Sequence, residues 1–142
     1  MAAARARTAA LTLLPPFTEH HELLEWAHNQ LLRWNRPAHA IGMEGPGMVV
    51  ALWDVPPYPK RLSDVQGTLA DLDSAAAPVQ RAFLALQRME TERRVVQEGW
   101  EWEPDEDRGY TAEQVKTATD LLVEAVILMD AALNAMGELF DR

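Results

Sequence analysis

Histidines and carboxylates at helical spacing are the groups in this chain best placed to do chemistry. His21, Glu25 and His28 stand at i, i+4 and i+7, which puts all three on one strip of a helix. Glu25-x-x-His28 has the carboxylate–histidine spacing with which helical bundles hold paired iron ions. Such a centre needs a second Glu-x-x-His and two further carboxylates. The other histidines are His20 and His39, and neither follows a glutamate at that spacing. The strip therefore reads as a solvated flank beside an apolar face, with no metal and no cofactor. With no cysteine, the chain has no thiolate zinc site, cysteine nucleophile or disulfide framework. Gly42 to Gly47 is glycine-rich, but it lacks the Lys-Ser/Thr of a phosphate loop and the spacing of a dinucleotide turn. No Ser, His and Asp set stands out for nucleophilic catalysis, so no catalytic residues are expected.

Glu22-Leu-Leu-Glu25 is similar in spacing to the first motif of the MazG kind of all-helical nucleotide pyrophosphohydrolase. That family pairs Glu-x-x-Glu with Glu-x-x-Asp on the next helix to hold magnesium against phosphates. The one Glu-x-x-Asp here is Glu138-Leu-Phe-Asp141, beyond the helix stop expected at Gly137. An all-α metal-dependent hydrolase is therefore the weaker enzymatic alternative.

The elements that would position any site follow from composition and pattern. The 142 residues fit one domain, and with 48% hydrophobic and 25% charged residues a packed core can form. Mean hydropathy is −0.22, and no apolar run reaches the roughly 20 residues that span a bilayer, so no membrane insertion is expected. The net charge of −9 is confined to the last third of the chain. Residues 1–96 balance ten basic against ten acidic groups, and residues 97–142 set three against twelve. This balance disfavours nucleic-acid binding. Within the acidic stretch, Trp100 and Trp102 lie among Glu98, Glu101, Glu103, Asp105, Glu106 and Asp107. Aromatic anchors ringed by carboxylates suit a basic protein partner. Arg88, Arg93 and Arg94 on the preceding helix form a second candidate face.

Residues 1–17 read as an N-terminal tail, too short in its apolar part for a secretory signal, so a cytoplasmic location is the default. Pro15 and Pro16 should break this tail, and Thr18 should cap a first helix ending near Asn35. Residues 18–142 then form a single helical domain. A Gly/Pro-rich loop follows from His39 to Pro59, then a short helix capped by Ser63, a helix opened by Pro78 and stopped by Gly99, and a long last helix. The last helix starts at the capping box Thr111-Ala-Glu-Gln114 and ends at Gly137. The expected fold is all-α, a small bundle of about four helices with a long C-terminal helix. Leu121, Val123, Ile127 and Leu128 make the middle of that helix apolar on faces that should be wet. They are the candidate interface of a homodimer.

The Trp26 to Trp34 helix, the Gly/Pro-rich middle, Asp64–Asp73, Val79–Met89, and Gly109-Tyr-Thr-Ala-Glu-Gln-Val115 leading to Met129-Asp-Ala-Ala-Leu133 together resemble the bacteriophage Q-type antitermination proteins in layout. The resemblance implies a sigma-region-4-like helix-turn-helix and action on promoter-proximal RNA polymerase. A recognition helix would fall near Val123–Met136, where no Lys or Arg lies between Lys116 and Arg142, and Asp120-Leu-Leu-Val123 continues the helical pattern. The expected function is a non-catalytic, protein-binding regulator of phage or mobile-element type, acting on host transcription machinery or another host protein. A DNA-binding helix-turn-helix regulator is the alternative.

Overall fold

The computed structural model describes residues 2–34, 60, 66–102 and 112–141, and every described element is helical. Helix α1 runs Ala2–Trp34, α2 Ala76–Trp102 and α3 Ala112–Glu138. Two 3-10 turns, Gln66–Asp71 and Asp73–Ala75, lead into α2. The all-helical class stands, with three helices among the described residues. The central Gly/Pro-rich stretch lies outside the described residues.

The core is written as three stripes with alternating three- and four-residue steps. On α1 it passes through Ala6, Ala10, Leu13, Phe17, His20, Leu24 and Ala27, all buried. On α2 it passes through Val79, Ala82, Leu86 and Met89. On α3 it passes through Ala118, Leu122, Ala125, Met129, Ala132, Met136 and Leu139. This step pattern keeps one seam of a helix facing its neighbours. On α3 large and small side chains alternate, which lets facing layers interdigitate.

Helix α3 is the central element and packs against both α1 and α2. The third side is closed by aromatic rings: Phe17 of α1 meets Phe83 of α2 edge-on, with centroids 5.7 Å apart and planes at 70°. The direction of each helix follows from reach. The connection from Trp102 to Ala112 spans at most about 33–36 Å, less than the roughly 39 Å needed to return to the start of α2. Helix α3 therefore runs back along α2. Helix α1 points the same way as α2, since Ala4 to Thr12 lie beside Thr68 and Asp71, which precede α2, while Phe17 meets Phe83 further along.

Four boundaries differ from those expected. The chain does not break at Pro15-Pro16: both lie inside α1, and the segment expected as a tail supplies Ala6, Ala9, Ala10, Leu13 and Phe17 to the core. Two prolines remove the donors that would serve the carbonyls of Leu11 and Thr12. Both of those residues are exposed, so water can take the freed oxygens, while buried Leu13, Pro16 and Phe17 hold the helix down. Burial of an apolar face overrides local preference here.

Gly99 does not stop α2, which continues to Trp102. Gly137 is helical, and α3 instead ends by tightening: the Leu139 and Phe140 amides donate to the Met136 and Gly137 carbonyls at 3.2 and 3.1 Å. The short helix expected after Ser63 is the pair of 3-10 turns, which bury Leu72 and Ala75. Asp73, the first residue of the second turn, takes a left-handed φ of 55°, a conformation Asp tolerates better than most residues.

Candidate functional site

Of the strip that first suggested chemistry, His21 is buried while Glu25 stays exposed. His20 and His21 are the two polar residues in the described core, both under one-tenth exposed. His20 continues the stripe of Phe17 and Leu24, so its imidazole replaces a hydrophobe, and burial pushes its pKa down to about 4. It is neutral at neutral pH. The Nε2 of His21 lies 3.4 Å from the Glu25 carboxylate, at the limit of contact, and its geometry completes no hydrogen bond. His28, on the same strip, is half-buried. Among the described residues, no three His, Asp or Glu side chains come together to hold a metal.

The arginines expected to form a basic face are each held by a carboxylate. Arg88 Nη1 donates to both carboxylate oxygens of Glu124, at 3.0 and 3.2 Å, and ties α2 to α3. Arg93 donates to Glu90 at 3.3 Å in a part-buried pair, and Arg94 Nε lies 3.5 Å from the same carboxylate. Arg93 falls where the α2 stripe of Leu86 and Met89 continues, and its buried Nε finds no partner. An Arg in this position supplies its apolar stem to the core as well as its charge.

Trp100, Glu101 and Trp102 do not form an acidic loop: they make the last turn of α2, with side chains outside the described set. Glu103 lies outside the described residues. The four candidate interface residues of α3 separate. Leu121 and Leu128 pack against the subunit's own core, Val123 is half-buried, and Ile127 is 60% exposed.

Two surface features were not foreseen. The first is a cleft of about 360 Å³ between the start of α1 and the first 3-10 turn, lined by Ala4, Arg5, Thr8, Ala9, Thr12, Thr68 and Asp71. Thr8 and Thr12 donate their hydroxyl protons to the carbonyls of Ala4 and Thr8, at 2.9 and 3.1 Å, which leaves them as acceptors. The second is the outer face of α1, where Trp26 is 56% exposed and Leu23, one turn earlier, is 39% exposed. Glu22 and Glu25 are exposed beside them. The sequence signal for both lay in the phase of the stripe. Once His20 and Leu24 are inward, Trp26 must point out.

Among the described residues no helix is long and apolar enough to cross a membrane. Comparison of the chain with protein-family models, with curated proteins and with solved structures finds no match to any of them.

Proposed function

We propose that this chain is a non-catalytic, protein-binding regulator that works as a homodimer and takes a basic partner segment on the outer face of α1. The observation that carries this reading is Trp26, an indole more than half in water, beside Leu23 and the carboxylates of Glu22 and Glu25. Tryptophan offers a large rigid apolar area at little entropic cost and is the residue type most enriched where binding energy concentrates. The adjacent negative charge selects a partner carrying Lys or Arg.

Protein contact is favoured over DNA reading by the placement of α3. It runs unbroken through Asp120, spends Leu122, Ala125, Met129, Ala132 and Met136 on the core, and presents exposed Asp120 and Asp130 to water. Phosphates repel such a surface. The likeness in layout to the Q-type antitermination proteins supports a finer form, in which the partner belongs to host transcription machinery.

The test is capture from host extract on immobilised full-length chain and on its Trp26→Ala variant. Truncating a central aromatic anchor costs about 2 kcal/mol or more, about 30-fold in affinity. The partner band is expected to disappear from the variant while its helical circular dichroism is unchanged. Equal capture by both proteins would refute the reading.

A further inference from the structure

The homodimer in the reading above rests on no surface so far, because Leu121 and Leu128 are partly buried against the subunit's own core. A different face is open. On α2, Leu84, Arg88 and Val95 share one outward stripe, with Leu84 51% and Val95 59% exposed. On α3, Asp120, Glu124 and Ile127 share another. The Arg88–Glu124 contact sets the two stripes side by side. Because the helices are antiparallel, Leu84, one turn before Arg88, stands level with Ile127, one turn after Glu124. The result is a flat two-helix face with an apolar pair beside a charged pair.

Around the apolar pair the basic charge lies on α2, as Arg81 and Arg88, and the acidic charge on α3, as Asp120 and Glu124. One turn further on, Glu92 follows Arg88 on α2 and Lys116 precedes Asp120 on α3, so the sign reverses at that end of each stripe. Where residues 76–95 of α2 and 117–136 of α3 lie side by side, the two helices offer a face about 30 Å long and about 20 Å wide, about 600 Å² on each copy. Two such faces bury about 1,200 Å² together, the lower end of the range for a stable interface.

We infer that the occupant of this face is a second copy of the chain, related by a two-fold axis parallel to the helices, so that α2 of each copy lies on α3 of the other. In this arrangement Leu84 covers the second copy's Ile127, and Arg88 meets the second copy's Glu124 and Asp120. The other face-to-face two-fold stacks α2 on α2 and α3 on α3, and centred at the level of the Arg88–Glu124 pair it sets arginine against arginine and carboxylate against carboxylate. Like charges facing each other oppose it. An isologous contact of this kind closes on itself and gives a dimer rather than a fibre.

The absence of native cysteine makes the test clean. Leu84→Cys and Ile127→Cys are made separately, each at an exposed position that leaves the core intact. Each variant is oxidised alone and as an equimolar mixture exchanged under reducing conditions, and the mass of the untreated chain is measured by sedimentation. The expected result is a dimer at twice the 15.9 kDa monomer mass, with a disulfide-linked band strong in the mixture and weak in either variant alone. A Leu84→Glu variant is expected to sediment as a folded monomer.

Cross-linking of either variant alone to the level of the mixture would mean like-on-like stacking and overturn the inference. A dimer that yields no cross-link in the mixture would also overturn it, while leaving the homodimer itself standing on another surface. A folded monomer at all concentrations would overturn both.

Discussion

Removing residues 1–14 is expected to abolish cooperative unfolding of the remaining chain at 25 °C. The deleted segment contributes Ala6, Ala10 and Leu13, each fully buried, together with Ala9. Losing one buried leucine side chain costs about 2–5 kcal/mol, because a cavity is left as well as lost transfer energy. Each buried alanine methyl adds about 0.8 kcal/mol by area. The sum is comparable with the roughly 5–15 kcal/mol that holds a domain together. Urea denaturation followed by circular dichroism reads the effect directly. A chain starting at Pro15 that unfolds within about 1 kcal/mol of the full chain would show that the first half of α1 is an appendage.

The second large effect is a pH dependence carried by His20. Its ordinary pKa of 6.5 holds in the unfolded chain, and burial lowers it to about 4 in the folded one. The native state therefore binds fewer protons than the unfolded state between those values. Its contribution to stability is complete above pH 6.5 and is lost as the pH falls toward about 4. The slope approaches 1.4 kcal/mol per pH unit, and the total is on the order of 3 kcal/mol. A His20→Leu variant keeps the stripe apolar and removes the titration. The difference in unfolding free energy between the two proteins is expected to widen by that amount from pH 7 to pH 4, in favour of the variant. Carboxylate titration is shared by both and cancels. Parallel profiles would mean that the imidazole is solvated after all.

Much of the fold was legible because periodicity is a direct image of packing. The α3 stripe from Ala118 to Met136 follows from spacing alone, and so does the α2 stripe from Val79 to Met89. What misled was punctuation. Pro15-Pro16 and Gly99 are strong local signals, and each was overridden where the surrounding residues continue a helix. A proline's cost is fixed at a few kcal/mol, whereas the gain from burying Leu13 and Phe17 on either side grows with every turn that docks. Extending the stripe of Leu24 and Ala27 backward by alternating steps would have reached Phe17, Leu13, Ala10 and Ala6, and placed His20 inside.

The site was less legible, because exposure depends on which neighbours arrive. Leu121, Leu128 and Ile127 have the same chemistry in the sequence, yet the first two flank the contacts of α3 with its neighbours and the third does not. Arg88 and Arg93 read as a basic patch until Glu124 and Glu90 are brought within about 3 Å of them, at 3.0 and 3.3 Å. Trp26 was counted within the first helix, but its outward phase depends on His20 and His21 being buried, an inversion of their usual preference.

The central claim is that α1, from its first turns onward, is an integral layer of one core with α2 and α3. Native-state amide hydrogen exchange measures this most directly. The amides of Ala10, Leu13 and Phe17 are expected to exchange through the same global opening as those of Leu122, Ala125 and Met129, with equal protection. Exchange at Ala10 and Leu13 near the rate of an unstructured chain, alongside protected α3 amides, would contradict it.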